Sequence, residues 1–226
     1  MPNSVLAAAA SVGAPFLGAL LIAGIRATGR QRGPYAAIGL TTSVVTAILV
    51  GWLWVVAPRP VIWRADWIGS AGIGFGFHVD ELSLLFAVLV AGVGVLTFLY
   101  SVRYIPPLLE RWGVAGGEAM YYGALLLFTG SVLGLVFAVD LIQLYVFWEL
   151  IDVASFLLIG LNRRDPAARS SAVKVLFITA LGGLSVLLGF VLLGTTAGTY
   201  SLPVLLAQGS AGLDPSLVGL ILVLLV

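Results

Sequence analysis

The 226-residue sequence contains no cysteine. That excludes disulfides, thiolate nucleophiles, cysteine-held iron–sulfur clusters and Cys-ligated zinc. It has one histidine, His78, and a metal centre would need more ligands than one imidazole supplies. Charge is scarce as well. Asp, Glu, Lys and Arg make up 9% of the residues, against roughly 25% in an ordinary globular domain. So few charges cannot clothe a soluble fold of this length, which excludes a soluble enzyme. The same composition excludes a disordered chain, which needs low hydrophobicity and high charge. A net charge of +1 offers no basic patch to nucleic acid. No nucleophile–base pair is visible, and nothing in the pattern calls for a cofactor.

What the sequence does have is apolar length: 61% of its residues are hydrophobic. A helix crosses the bilayer core with about 20 largely apolar residues. Six complete segments of that kind run over 5–25, 35–57, 82–105, 120–138, 141–161 and 172–195, and a seventh starts near 216. The runs are continuous, unlike the short alternating strands of a membrane β-barrel. The expected fold is therefore all-α: a polytopic membrane helix bundle, six full spans plus the start of a seventh, forming a single domain over 1–226. Segments four and five are separated only around Asp140, which predicts a tight helical hairpin with Asp140 capping segment five. Pro166 closes the loop after segment five.

The positive charges are unevenly shared. Arg26, Arg30, Arg32, Arg103, Arg111, Arg163, Arg164, Arg169 and Lys174 fall in or beside alternate loops, which share one side, whereas Arg59 and Arg64 lie on the other. The positive-inside rule puts the first group in the cytoplasm and the N-terminus outside. Residues 1–25 carry no Lys or Arg, so they read as a retained span rather than a secretory signal. The longest polar connection, 58–80, reads as a flexible outer loop with interfacial Trp63 and Trp67. Its Gly72-Ile73-Gly74-Phe75-Gly76 spacing resembles a nucleotide loop, but no Lys-Ser/Thr follows it. At the other end, ten apolar residues from Leu217 rise only about 15 Å. That half-span predicts that the helix continues beyond Val226, or that a partner chain completes the layer.

Two carboxylates stand where lipid disfavours charge. Glu149 lies in the middle of segment five, and Asp152 follows three residues later on the same helix face. A charge at that depth is costly, so it pairs or faces an interior path. Burial raises a carboxyl pKa and a nearby cation lowers it again, which is what a proton relay requires. Lys174, the single lysine, lies in segment six and is the candidate cation, with Asp152 nearest in depth. The alternatives are structural: a neutral hydrogen-bonded Glu149, an Asp152 that holds a helix contact, and a Lys174 that snorkels to the surface. Gly130-Ser131-Val132-Leu133-Gly134, Gly182-Gly183 and Gly189 read as close-packing positions.

Several stretches resemble one family. Phe77-His78-Val79-Asp80-Glu81-Leu82-Ser83-Leu84-Leu85-Phe86 resembles the "VDGLSLLF" element of the antiporter-like subunits. Gly130 to Leu135, then Phe147-Trp148-Glu149-Leu150 and Ser155 to Gly160, resemble that family's "GSMLGL…FWEL…SFLLIG". Ile178-Thr179-Ala180-Leu181-Gly182-Gly183 resembles its "ITxxGGL". The match is to the N-terminal part of the large A subunit of Mrp-type multisubunit sodium/proton antiporters, to which the pumping subunits of respiratory complex I are related. The resemblance implies a plasma-membrane subunit working with other subunits in a hetero-oligomeric complex among membrane lipids. It implies exchange of Na+ for H+ without a cofactor, and it makes Glu149 the key proton-carrying carboxylate. The family pairs this Glu with a lysine in a broken segment seven, beyond the last residue here. A fragment or half of a split subunit is therefore expected. Two positions depart from the pattern. Glu81 replaces a glycine, which gathers His78, Asp80 and Glu81 at a possible outer entry, and Asp152 replaces a small hydroxyl residue. A redox-driven proton pump subunit of complex I or a membrane-bound hydrogenase, and a non-transporting scaffold, remain as alternatives.

Overall fold

Apolar runs of bilayer length form helices because a helix satisfies every interior backbone hydrogen bond within itself. In the computed structural model, which describes residues 3–30, 33–57, 59–114, 116–209 and 214–225, they do so. Among the described residues six helices are long and apolar enough to cross a membrane: α1 (Asn3–Ala27), α2 (Tyr35–Val56), α3 (Glu81–Trp112), α4 (Gly117–Val136), α5 (Leu141–Ile159) and α6 (Pro166–Ala197). A short helix α7 (Leu202–Gln208) and an apolar helix α8 (Pro215–Leu225) follow. In packing, α1 touches α2 and α4, α2 touches α3, α4 touches α5, and α6 bridges α5 to α8. Large side chains such as Leu17, Leu20, Phe177 and Leu181 stay exposed on α1 and α6, as expected of faces turned to lipid or to further protein.

Two boundaries differ from the sequence reading. Helix α3 does not stop near 105; it continues through Pro106 and Pro107 to Trp112, so Arg103 and Arg111 are helical. Proline weakens a helix interior by removing a hydrogen bond. Here the last turns are held by burial, because Ile105 and Leu109 pack with Leu161 beyond α5. Gly113 then ends the helix in the left-handed region at φ 66°, donating to the carbonyls of Glu110 and Leu109. Helix α6 starts at Pro166 rather than 172. The Asp165 side chain caps it by accepting from the Ala167 N–H at 2.8 Å, and proline fits the first turn, where its missing N–H is not needed.

The connection expected as a flexible loop is an ordered antiparallel hairpin. Strands β1 (Val61–Ile68) and β2 (Ile73–Val79) pair from Val61↔Val79 to Ile68↔Ile73, joined by a short 3₁₀ turn that ends at Gly72. The alternating glycines in β2 have a steric cause. A Cβ at Gly76 would strike the Trp63 carbonyl, and one at Gly74 would strike the Arg64 side chain. The hairpin is pinned to the bundle where Val79, Phe77 and Val61 enter a core with Val5, Leu53, Leu84, Phe137 and Phe147. A second core, around Ile22, Tyr35, Phe98, Tyr122 and Leu126, lies toward the basic loops. The small-residue motif in α4 works as packing: Gly130 lies against Pro15 and Phe16 of α1, and Gly134 faces the Phe147 ring of α5.

Candidate functional site

Helix α5 carries the candidate site, and its start is tightly fixed. Asp140 caps it, with Oδ1 accepting from the Ile142 N–H at 3.1 Å. The other oxygen, Oδ2, accepts from the Gly74 N–H at 2.9 Å and from Arg64 Nη2 at 3.1 Å. Asp140 has no exposed surface. One turn on, the buried Gln143 amide closes a two-way pair with Gly76: the Gly76 N–H donates to Oε1 at 3.0 Å, and Nε2 donates to the Gly76 carbonyl at 2.8 Å. The link from α6 to α7 joins the same point, since the Leu141 N–H donates to the Tyr200 carbonyl and the Leu202 N–H to the Val139 carbonyl, each at 2.9 Å. Hairpin, α4–α5 turn and α6–α7 link thus meet at Asp140. The sequence reading found the cap but not the Arg64–Asp140 pair. Those residues are 76 positions apart, and no local pattern joins them.

Further along α5 two carboxylates each have an oxygen that is not satisfied. Glu149 is half-buried where α5 packs on α6, and its Oε1 is buried without a hydrogen-bond partner. It points at Gly183 of α6, where a methyl group would collide with that oxygen. The Tyr145 ring, one turn earlier, lies beside the same glycine, 3.8 Å from where its Cβ would stand. Asp152 is half-buried too, and its Oδ2 likewise has no partner. The structure therefore sets Glu149 and Asp152 on one helix, with an open acceptor on each. Lys174 does not join them: it is exposed on α6, and among the described residues the only salt bridges are Arg64 to Asp66 and Arg64 to Asp140.

His78, Asp80 and Glu81 gather at the other candidate position, where β2 meets α3. Asp80 is committed to a capping box: the Ser83 N–H donates to Asp80 Oδ1 at 2.7 Å, and the Asp80 N–H donates to Ser83 Oγ at 2.8 Å. Burial alone would push its carboxyl up, but the Ser83 hydrogen bonds and the charge of His78 hold it below the usual carboxylate range. His78 is fixed through its backbone, whose N–H donates to the Phe137 carbonyl at 2.9 Å. Glu81 is exposed. Among the described residues no hydrogen bond or salt bridge links this group to Glu149 or Asp152.

Chemically, a buried carboxylate acceptor without a partner is costly when charged, and it gains from taking a proton or meeting a cation. Residues 138–226 match the family described as NADH:quinone oxidoreductase/Mrp antiporter, TM, and residues 65–107 match NADH-Ubiquinone oxidoreductase (complex I), chain 5 N-terminus. The probable K(+)/H(+) antiporter A/B subunit of Rhizobium meliloti is 36% identical over 93% of this chain and 20% of its own length. The large Na(+)/H(+) antiporter A subunit of Alkalihalophilus pseudofirmus is 43% identical over 60% of this chain and 16% of its own. A chain in the structure of the Mrp complex from Dietzia sp. superimposes with a TM-score of 0.78 at 30% identity, covering 98% of this chain and 23% of that one. The chain thus spans about a fifth of the length of the curated relatives it matches. With six apolar helices and membrane antiporter subunits as relatives, it is a multi-pass membrane protein.

Proposed function

Because the chain is related to the large A subunit of the Mrp-type antiporters, and through it to the membrane subunits of complex I, we propose that it is part of a multisubunit cation/proton antiporter of the plasma membrane. It is a transporter subunit rather than an enzyme, and it carries protons inward against an outgoing monovalent cation. The observation that carries this reading is the open Glu149 acceptor at the centre of α5, pressed against Gly183 where a side chain would block it. Glu149 holds the proton in transit. Asp152 accepts next, one turn along α5 toward the end that carries the basic loops. Lys174, exposed on α6, is the cation assigned to answer the pair. Its four-carbon stem and titratable head suit that task better than an arginine would. His78 and Glu81 stand at the external approach.

The orientation follows from charge. Nine of the eleven Lys and Arg residues lie in the loops between α1 and α2, α3 and α4, and α5 and α6, or on the helix halves that lead to them. That end faces the cytoplasm and the N-terminus faces out. Other subunits of the complex supply the remainder of the cation path.

The test is antiport in vesicles containing the whole complex. Glu149→Gln keeps the shape and removes the titrating group, so exchange is expected to stop while the complex still assembles. Full activity in that variant would sink the proposal. A second reading, a redox-driven proton pump, is favoured by the match of residues 65–107 to a complex I chain. Copurification with iron–sulfur subunits, in place of small antiporter subunits, would decide for it.

A further inference from the structure

At the basic-loop end of the bundle a groove of about 570 Å³ opens between α1, the start of α4 and the end of α5. Its body is apolar, formed by side chains such as Ala19, Ile22, Leu127 and Leu157, with a bare backbone at Gly123. Its charged lining is of one sign only: Arg26 from α1 and Arg163 from the loop after α5. Both guanidinium groups lie over the first turn of α4. Arg163 Nη2 is 2.8 Å from Met120 Sδ, a thioether and a weak acceptor. Arg26 Nη2 lies 3.3 Å from where a Cβ would stand on Gly116, and that residue caps α4 with no side-chain hydrogen bond. All ten Asp and Glu residues are among the described ones, and none pairs with either arginine. Glu118, in the same helix turn, does not line the groove.

We propose that this groove binds an anionic phospholipid, its phosphate held by Arg26 and Arg163 and one acyl chain laid along α1 and α4. The groove is of ligand-pocket size, with room for the phosphate and part of one acyl chain while the rest of the lipid stays outside it. Guanidinium forks match phosphate oxygens, and the start of α4, which has no side-chain cap, adds a partial positive charge at the same point. Basic pockets between membrane helices on the cytoplasmic side select anionic headgroups for this reason. A zwitterionic lipid would bring an ammonium group to a rim whose charged residues are both cationic. This inference takes the basic-loop end as cytoplasmic and the chain as part of a complex, as the reading above does, but it does not depend on Glu149 carrying a proton.

The experiment is native mass spectrometry of the purified complex, stripped of lipid in detergent and offered phosphatidylglycerol, phosphatidylethanolamine or inorganic phosphate. The intact complex is expected to retain phosphatidylglycerol about tenfold more than phosphatidylethanolamine. Arg26→Gln with Arg163→Gln abolishes that preference. Gly123→Leu removes it by filling the groove and leaves both arginines in place; the nearest atom to its Cβ, Ile22 Cγ2, is 3.7 Å away, so the Cβ has room and the branched end extends into the groove. If the double variant fails to assemble, Gly123→Leu alone decides. Equal retention of the two lipids, undiminished retention in Gly123→Leu, or displacement of the lipid by inorganic phosphate at equal concentration would each overturn the proposal.

Discussion

Helix α5 carries buried carboxylates in opposite conditions at its two stations. Asp140, at its start, has three donors from three parts of the chain and no exposed surface. Glu149, in its middle, and Asp152, one turn on, each keep an oxygen that is buried and without a partner. Full satisfaction converts a buried charge into a structural tie, because every donor around it would lose a hydrogen bond if it left. An open acceptor holds nothing together, so its retention in an apolar setting needs another account, and proton or cation traffic supplies one. The two stations share a helix, which lets the tied one position the open one.

The largest effect should come from breaking the satisfied station. Asp140→Ala strands the Gly74 N–H and the Ile142 N–H and leaves the Arg64 guanidinium only the Gly72 carbonyl and Asp66. Removing one partner of a buried ion pair costs about 3–5 kcal/mol, and the lower figure applies because the Arg64 side chain is 26% exposed. The expected result is a large fall in melting temperature and failure of the hairpin to dock, read by hydrogen exchange at Gly74 and Gly76. If Asp140→Ala assembled normally and Glu149→Gln did not, the two roles would have to be exchanged.

The two stations were unequally legible in the sequence. Glu149 could be found because depth along a continuous apolar run is a local property, and a charge halfway along it is conspicuous. Asp140 was legible only as a cap, since its ties to Arg64 and Gly74 cross 76 and 66 residues that no periodicity connects. The hairpin that brings those partners does carry a local signal in the sequence. Ile73-Gly74-Phe75-Gly76-Phe77 alternates with the period of two that a strand requires, and its glycines only resembled a nucleotide loop. The early start of α6 was signalled too, by Asp165 before Pro166. The continuation of α3 past two prolines was not, because it depends on Leu161, which reaches Ile105 and Leu109 only after the chain has returned.

A smaller effect should come from crowding the open station without touching its charge. Gly183→Ala places a methyl group against Glu149 Oε1. Alanine is the better helix former by roughly 0.5–1 kcal/mol, so thermal stability should hold or rise slightly. Antiport should nevertheless fall, by about tenfold if the displaced carboxyl adds ~1.4 kcal/mol to the barrier. Fluorescence quenching in vesicles and a melting curve on the same sample separate the two outcomes. A fall in stability with unchanged transport would mean that Glu149 is only packed there.

The smallest effect concerns Asp80, a satisfied carboxylate of the Asp140 kind but nearer solvent. Its carboxyl is held below the usual range, so over the interval between its folded and unfolded values the unfolded chain binds more protons than the folded one. The stabilisation is therefore complete above the ordinary aspartate range and fades as pH falls through the lower folded value. Asp80→Ala should cost about 1 kcal/mol at neutral pH, the usual worth of a helix N-cap. It should cost progressively less on acidification, because the wild-type cap is then being lost as well. Melting curves of both proteins at neutral and acidic pH test this, and a gap that stays constant with pH would show that the α3 cap works through its shape rather than its charge.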